Sequence, residues 1–552
     1  MLKNLTKPKK YILFYAILAL LVGIYIFVSA PNLSPFYSEG AFFWLILISI
    51  CILVPTIFSF KLEAATDNSG KPTFHFGKGA KPKKVIIVVL VILWGAFILI
   101  NLIFTPLFFW KQYRDQMPEP IEKEFTSHVQ AIDLTQIPIV DADLAKTLAD
   151  KKLGEKPSLG SQVVIGEPTM QNVNGKLIWA VPLHHSGFFK WLSNLEGAAG
   201  YIKVSATNLQ DVEYVENYKI KIQPNSHLLD DLTRRVRLTN GLFTGITDYS
   251  FELNDEGKPY WVITTYKNKI GYALPEANGI ILMDAQTGAS TRYTMEEIPE
   301  WIDRVQPEEY ILEQMNNKGK YIHGIFNFSN KEKFRASPGT NIIYNNGRCY
   351  LFTGITSVGV DESATGFWVV DMVTKEPTLY RMSGATETSA MESAQGKVQD
   401  MRYTATAPII LNIFDTPTYF MTLKDSAKLV KQFAFVSIQD YSVVGVGDTI
   451  AEAKADYAKS LNDIANSHDI KADADEVVLS AVGTIDRINF TIKGEITVYS
   501  FTLSEKPGII FNVDLSASAK LPLTVKGDNV QIKYVLVEDK LMNVNEFNNL
   551  TL

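Results

Sequence analysis

Three long apolar stretches near the start of this 552-residue chain constrain its fold more than any other feature. They cover Tyr11–Ala30, Ala41–Phe60 and Val85–Phe109, and none of them contains a charged residue. A helix needs about 20 apolar residues to cross the hydrocarbon core of a bilayer. The sequence therefore predicts an α-helical membrane domain over residues 1–110, with spans at about 11–30, 41–60 and 85–109.

The distribution of lysines predicts how these spans are oriented. The first stretch is too long for the core of a signal peptide, so we expect it to remain as an anchor. The loop 31–40 has no Lys or Arg, whereas lysines flank the other ends of the spans at positions 3, 7, 9, 10, 61, 71, 78, 81, 83 and 84. Positively charged short loops stay on the cytoplasmic side. We therefore expect a multi-pass protein of the plasma membrane with a cytoplasmic N-terminus and an extracytoplasmic ectodomain after Phe109.

Charge and cysteine content exclude other classes. The formal net charge is −6, so no basic surface large enough for nucleic acid is expected. Cys51 falls in an apolar stretch and Cys349 far outside it, which excludes a disulfide framework. The bilayer is thus the one partner that composition indicates directly.

The ectodomain divides by pattern into segments of different character. Helices are expected at Asp141–Lys152 and Thr449–Ile464, and a polar, acidic boundary at Ser467–Glu476. The segments are a stalk and helix at 111–160, a first weak repeat at 161–224, two clearer repeats at 225–310 and 311–400, a weak repeat with a helix at 401–466, and a small β-barrel of OB or SH3 type at 477–552. The fold class predicted is a three-span anchor followed by an α+β ectodomain of repeated antiparallel sheets and a C-terminal barrel.

The two clearer repeats share one register. The stretches Gly279–Met295 and Gly366–Met382 align with Gly, Asp, Thr, Tyr and Met at equivalent positions. Each is preceded by a hairpin signal, Asp-Glu-Gly ending at Gly257 or Asn-Asn-Gly ending at Gly347. We expect each repeat to be a small antiparallel sheet with a helix alongside. The helices are predicted at His227–Arg237 and Met295–Val305, whereas Thr386–Lys397 is too small and polar for a stable helix.

The order of helix, strand, glycine turn and two further strands, ending in Met283-Asp284-Ala285-Gln286-Thr287-Gly288, resembles the PepSY module of bacterial envelope proteins. The resemblance covers about 225–295 and, less fully, 335–400, where Lys375 replaces the counterpart of Gly288. It implies non-catalytic modules that bind or restrain peptidases or sense conditions at the cell surface, in a protein of envelope or cell-shape maintenance.

The chain shows no strong motif for a cofactor or metal. Gly445-Val446-Gly447 precedes a helix but lacks a third glycine and a Walker lysine, so a strand-to-helix turn is favoured. His184 and His185 are adjacent on a strand and point to opposite faces, which disfavours a shared metal. We therefore predict no catalytic, cofactor-binding or metal-binding residues.

Several residues allow both a functional and a structural interpretation. Asp284 and Asp371 could bind a cation or act as acid and base, but hydrogen bonding to backbone in a turn is favoured. Cys349 is expected to be a buried small hydrophobe. The aromatic segment Phe188–Trp191 could touch lipid headgroups, a partner or the core, and the core is favoured.

The role predicted from these features is a non-enzymatic, membrane-anchored envelope protein whose repeats bind or regulate an extracytoplasmic or membrane protein. One alternative is an envelope enzyme acting on wall polymer or peptide at a site between modules. Another is an accessory subunit of a membrane complex. A deep cleft with converging carboxylates would favour the enzyme, and shallow sheet surfaces would favour binding.

Overall fold

The structure is a computed structural model. It describes residues 7–59, 62–66, 72–76, 80–125, 137–345, 347–358, 364–414, 416–467, 479–493, 496–538 and 541–552. The acidic boundary beyond Ser467 and several lysines of the 61–84 loop lie outside these residues. The chain divides into two compact units: unit 1 is Met1–Thr388 with Ala407–Pro417, and unit 2 is Ser389–Thr406 with Thr418–Leu552.

Unit 1 begins with apolar helices. These are α1 (Lys7–Ser29), α2 (Ser38–Ser59), α3 (Ala80–Ile103) and α4 (Pro106–Arg114), with a hairpin of β1 (Leu62–Thr66) and β2 (Pro72–Phe76) between α2 and α3. Among the described residues, only Tyr11–Ser29 is by itself long and apolar enough to cross a membrane. A second span results if Ile87–Ile103 and α4, which meet at a 52° bend, are taken together, and Ser38–Val54 is shorter. The structure thus supports one span directly rather than three, because the described apolar part of α2 is shorter and the bend before Pro106 interrupts the third stretch.

The apolar helices contact one another through paired polar groups. The Tyr15 hydroxyl donates to the Cys51 carbonyl oxygen at 3.1 Å, which joins α1 to α2. The Trp94 indole N–H donates to Ser49 Oγ at 3.0 Å, which joins α3 to α2. Trp94 is unusual as an indole near the centre of an apolar stretch, and this hydrogen bond satisfies its only donor.

The first sheet follows a helical segment. Helix α5 (Ala142–Gly154) begins where Asp141 accepts a hydrogen bond from the Leu144 N–H at 2.9 Å, as an N-cap does. A short helix α6 (Pro157–Gly160) leads into the sheet. The strands are β4 (Val163–Ile165), β5 (Thr169–Val173), β6 (Lys176–His185), β7 (Ala198–Ser205) and β8 (Val212–Ile220), with helix α7 (Phe188–Ser193) between β6 and β7. Strands β6, β7 and β8 are consecutive antiparallel neighbours, and both β4 and β5 pair with β6.

The second and third sheets are the two clearer repeats. Helix α8 (Leu232–Val236) precedes the second sheet, and helix α9 (Glu308–Lys320) precedes the third. The second sheet contains β9 (Gly245–Leu253), β10 (Pro259–Ile270), β11 (Ala273–Asp284) and β12 (Ser290–Thr294). The third contains β13 (Phe334–Asn345), β14 (Arg348–Ser357), β15 (Ala364–Asp371) and β16 (Pro377–Gly384). Each is a four-stranded antiparallel meander in chain order, so the predicted sheet repeat is present.

The same steric constraint explains why glycine occurs at the equivalent positions 279 and 366 of the two repeats. Gly279 and Gly366 have φ of +147° and +148°. A Cβ at Gly279 would lie 2.2 Å from the Tyr293 carbonyl oxygen, and a Cβ at Gly366 would lie 2.4 Å from that of Tyr380. Only glycine therefore fits where the third strand of each sheet passes the fourth.

The helix predictions around these sheets were only partly right. His227–Arg237 contains a single turn at Leu228–Asp230 and then α8, which is shorter than predicted. The helix predicted at Met295–Val305 was wrong, because Pro299 interrupts it and the segment packs Ile302 and Val305 onto the second sheet. This segment, residues 295–307, is called the strap below.

The segment after α4 is not a plain connector. Strand β3 (Ile121–Lys123) pairs in parallel with β16 and adds a fifth strand to the third sheet. Met117 is buried in the core of that sheet together with Ile311 and Met315 of α9. The part of the predicted stalk that is described, up to Phe125, therefore belongs to the third sheet and its core.

Unit 2 contains a fourth sheet and a barrel. The expectation that Thr386–Lys397 is too small and polar for a stable helix was wrong, because the segment forms helix α10 (Glu387–Lys397) and buries its small residues Ala390 and Ala394. Strand β18 (Ile409–Ile413) belongs to unit 1. The fourth sheet has, in order, β17 (Thr404–Ala405), β19 (Thr416–Lys424), β20 (Val430–Ser437) and β21 (Val444–Gly447). Helix α11 (Ile450–Ser467), which the sequence predicted, packs on this sheet. A Cβ at Gly445 would lie 2.1 Å from the Tyr457 backbone N, so this glycine serves strand-to-helix packing.

The predicted C-terminal barrel is confirmed. Five strands close in the order β22-β23-β24-β26-β25, with β24 and β26 parallel. They are β22 (Leu479–Lys493), β23 (Ile496–Leu503), β24 (Lys506–Asp514), β25 (Asn529–Glu538) and β26 (Leu541–Asn549). Phe501, Phe511 and Phe547 fill its interior, which is therefore a packed core rather than a ligand cavity.

Candidate functional site

The repeated aspartates hold turns. Asp284 Oδ1 accepts hydrogen bonds from the N–H groups of Gln286 and Thr287, both at 2.9 Å. Lys258 adds an ion pair at 2.6 Å. Burial alone would raise the pKa of Asp284, but the bonds from Lys258 and from the two backbone N–H groups outweigh it and lower the pKa. Asp371 repeats the arrangement in the third sheet, so the turn interpretation of both aspartates is confirmed.

Lys375 shows why the second repeat departs from glycine. It has φ of +65°, close to the +71° of Gly288, so both occupy the left-handed conformation after the aspartate turn. The Lys375 side chain is buried and forms an ion pair with Glu276 of the second sheet. Its ammonium also donates to the Gln116 carbonyl oxygen at 3.2 Å. Burial lowers the pKa of Lys375, although Glu276 opposes this. The unfavourable backbone conformation is offset by a contact that joins the two repeats.

Two buried carboxyl groups meet where three sheets join. Glu252 of β9 is 1% exposed and Asp303 of the strap is 6% exposed. Burial, reinforced by the Asp303 charge, raises the pKa of Glu252 to about 8. Burial also raises the pKa of Asp303 to about 7, even though the backbone of Asn172 and the charge of Arg304 oppose this. Strongly raised carboxyl pKa values are typical of functional sites and also of sealed polar junctions.

The surroundings of this buried pair indicate a sealed junction. Ser250 donates to Glu252 Oε1 at 2.5 Å, and the Tyr344 hydroxyl of the third sheet donates to the Met170 carbonyl oxygen of the first at 2.6 Å. Glu252 Oε2 and Asp303 Oδ1 are buried without a hydrogen-bond partner. The sequence analysis missed both acids. One signal was available, because an acid between Phe251 and Leu253 in a strand indicates a carboxyl group close to a buried core.

Cys349 lies at the same junction. It is buried beside Met372, with 3.5 Å between the two sulfur atoms. Burial raises the pKa of its thiol well above the ordinary value, which suppresses the thiolate that a nucleophile would need. The prediction of a buried small hydrophobe at Cys349 is confirmed.

The histidine pair is packed rather than open. Burial lowers the pKa of His184 to about 4, and its ring lies 6.2 Å from that of Trp261. The His185 backbone N–H donates to Gln223 Oε1 at 2.9 Å. The described residues contain no group of three or more His, Cys, Asp and Glu placed to hold a metal ion.

The ends of α1 and α2 that flank residues 30–37 contact the region of the second sheet. Arg234 of α8 donates from Nε to the Phe27 carbonyl oxygen at 2.6 Å, and its guanidinium lies 5.0 Å from the Phe27 ring centroid. Leu33 donates its N–H to the Leu242 carbonyl oxygen at 2.9 Å. Arg234 therefore places a cation at the C-terminal end of α1, where the helix dipole favours it.

The start of α2 and the C-terminal part of α3 contact the second sheet itself. The Tyr37 hydroxyl, at the start of α2, donates to the Tyr266 carbonyl oxygen at 2.7 Å. The ring of Phe97 in α3 lies 5.7 Å from that of Tyr272, in the turn between β10 and β11. Tyr37 and α3 therefore contact the end of the second sheet where β10 turns into β11, whereas α1 contacts Arg234 of α8, the helix that precedes this sheet.

An open depression follows one side of α9. Its lining residues are mostly acidic or amide side chains: Glu308, Glu309, Leu312, Glu313, Asn316, Asn317 and Lys320. These positions recur along one exposed stripe of the helix, which is called the α9 stripe below. Its character is that of a shallow acidic surface.

The aromatic segment after β6 divides between core and surface. Trp191 is buried, and its indole N–H donates to Asp230 Oδ2 at 2.9 Å. Phe188 and Phe189 are exposed, Phe189 by 80%. The preference for core was right for Trp191 and wrong for the two phenylalanines, because the helix α7 is only six residues long and buries one side chain.

Comparison with known proteins gives no family. No protein-family model and no curated protein matches the chain. A solved structure described as an ACO/RPE65 chimera aligns over 50% of this chain and 49% of its own, with 10% identity and a TM-score of 0.12. The chain thus spans about half the length of that protein.

Proposed function

We propose that the protein is a non-enzymatic, three-span membrane protein of the cell envelope whose PepSY-like extracytoplasmic sheets bind or regulate a protein partner. The observation that carries this proposal is that three apolar helices contact the second repeat, α1 through Arg234 of α8 and the start of α2 and α3 through the β10–β11 end of its sheet. An ectodomain held in this way has a fixed height and orientation above the bilayer, which suits presentation of a binding surface to a membrane neighbour.

The helix contacts also support three spans. Phe27 near the end of α1, Tyr37 just before α2 and Phe97 in α3 all contact the second repeat, so we place these helix ends on one side of a membrane. The lysines at 3–10 and 61–84 belong to the opposite helix ends, as the charge rule requires. Bilayer thinning and the bend before α4 would accommodate the shorter apolar lengths.

The α9 stripe is the surface we assign to the partner. Glu308, Glu309 and Glu313 give it negative charge, and its shallow form suits a protein surface better than a small substrate. A basic segment of the partner would complement it.

In-cell photocrosslinking tests this proposal. A photoreactive amino acid at Asn317 should give a discrete protein adduct in intact cells, and the adduct should disappear when Glu309→Lys and Glu313→Lys are added. The same probe at Asn174, in an exposed turn of the first sheet, is the control. The proposal fails if Asn317 gives no protein adduct, or one that survives the charge reversal unchanged.

The buried acids favour one second candidate, an envelope enzyme with its site between modules. Glu252 and Asp303 lie at such a junction and have raised pKa values, as general acids do. Purified full-length protein would then release fragments from cell-wall polymer or peptide, and Glu252→Gln would abolish the release. Equal release by the variant would exclude this role for Glu252.

A further inference from the structure

Unit 1 exposes a group of large apolar side chains near the end of α1. It comes from α7, the segment after it, and the turn before α8. We call it the apolar rim, and its members are Phe188, Phe189, Leu192, Leu195, Leu228 and Leu229. Contiguous exposed apolar surface on a soluble domain marks a site of contact with another phase or molecule.

Internal contacts make the rim one unit. The Phe188 ring lies 5.1 Å from that of His227 and 5.5 Å from that of Phe189. The hydrogen bond from the Trp191 indole to Asp230 ties α7 to the turn that carries the two leucines. The rim is therefore presented by a braced surface rather than by a loose loop.

The position of the rim relative to α1 is fixed by Arg234. One nitrogen of its guanidinium donates to the Phe27 carbonyl oxygen, and another donates to the Leu228 carbonyl oxygen. One side chain thus joins the end of the first span to a rim residue. Leu228 has φ of +50°, a strained conformation for a leucine, and it remains 58% exposed.

A second exposed pair lies near α4, the helix that follows α3. Phe326 and Phe328 are 75% and 84% exposed, and their ring centroids are 6.1 Å apart. They follow Gly324, where a Cβ would lie 3.4 Å from Trp110 of α4. We call Phe326 and Phe328 the aromatic pair. Aromatic side chains close to the ends of spans are typical of the headgroup layer.

We infer that the apolar rim and the aromatic pair insert into the outer leaflet of the bilayer, so that the ectodomain rests on the lipid as well as being anchored in it. This inference rests on the proposed function, because it requires the three helices to span the membrane. Continuity with the helix ends favours lipid over a protein partner as the occupant. Lys190, between Phe189 and Trp191, would direct its ammonium toward lipid phosphates.

Glu256 supplies a matched control because it is charged and exposed, in the turn between β9 and β10. A label there should be in water, whereas a label at Phe189 should be in lipid.

Site-directed spin labelling of the full chain tests the inference. Cys51 and Cys349 are replaced by alanine, and single cysteines are introduced by Phe189→Cys, Phe328→Cys, Glu256→Cys and Leu20→Cys. The protein is reconstituted into vesicles of equal parts phosphatidylcholine and phosphatidylglycerol. Collisions of the nitroxide with oxygen and with a water-soluble nickel chelate give its depth in the bilayer.

We expect labels at 189 and 328 to favour oxygen and to lie about 5–10 Å below the phosphates, as interfacial side chains do. The label at 256 should favour the nickel chelate. Labels at 189 and 328 that behave like the label at 256 would overturn the inference. In that case an oxygen-accessible label at Leu20 would show that α1 is still in the bilayer.

Two further outcomes also overturn the inference. Labels at 189 and 328 shielded from both reagents would indicate a protein contact instead of lipid. An aqueous label at Leu20 would remove the anchor itself, and the proposed function would fail with it.

Discussion

Glu252→Gln should reduce the pH dependence of stability. Glu252 is buried with a pKa of about 8, against an ordinary value of 4.5 for the unfolded chain. Below pH 4.5 both states carry the proton, so the contribution to stability is complete. As pH rises from 4.5 to 8, the folded state retains a proton that the unfolded chain has released, so stability is lost.

The magnitude follows from the size of the shift. At about 1.36 kcal/mol per pH unit, the interval from 4.5 to 8 corresponds to a loss of about 5 kcal/mol as an upper limit. Glutamine cannot titrate and keeps an oxygen for the Ser250 hydroxyl. We expect the variant to match the wild type within about 1 kcal/mol at pH 4.5 and to be more stable than it above pH 7.

The assay is thermal unfolding of the full chain in detergent between pH 4.5 and 9. Titrating groups away from the junction act equally in both proteins, so the difference between the two pH profiles reports Glu252 together with its coupled neighbour Asp303. Glu256→Gln, in an exposed turn, is the control and should leave the profile unchanged. Parallel profiles for the wild type and Glu252→Gln would refute the reasoning.

Three further substitutions test the repeats and the anchor. Gly279→Ala should lower the free energy of unfolding by about 2–4 kcal/mol in chemical denaturation, because the new methyl would lie 2.2 Å from a carbonyl oxygen. The control Gly175→Ala, also at positive φ but facing open space, should cost only about 1 kcal/mol. Equal costs would contradict the close-approach explanation. Lys375→Gly should relieve the strained backbone yet lower the free energy of unfolding by about 1–3 kcal/mol, because Glu276 loses a buried ion pair. A gain in stability would show that this ion pair contributes little. Arg234→Ala should speed hydrogen exchange in the last turn of α1 roughly five- to tenfold, which corresponds to a loss of about 1 kcal/mol in the local stability of that turn. Unchanged exchange would show that the contact between Arg234 and the end of α1 has no effect.

The repeat and the barrel could be predicted because their signals are local. Gly279 and Gly366 recur in register since the same strand approach requires them, and the aspartate turns follow from side-chain bonding within three residues. Helix α9 also carries a local signal that the prediction missed: Pro307 is followed by two glutamates and by apolar residues at helical spacing, Ile311 and Met315.

The rest depends on contacts between distant parts of the chain. Pairing of Ile121–Lys123 with β16 joins residues more than 250 positions apart, and no local pattern specifies it. The raised pKa values of Glu252 and Asp303 arise from burial by three sheets. Exposure of Phe189 beside buried Trp191 depends on which side of α7 meets the sheet.

The orientation of the ectodomain is the central claim, and cysteine labelling in intact cells tests it most directly. In a chain without its native cysteines, Glu256→Cys should react with a membrane-impermeant maleimide added outside. Lys71→Cys, in the lysine-containing loop between the second and third apolar stretches, should react only after the cells are opened. Labelling of position 71 in intact cells, with position 256 protected until lysis, would contradict the account.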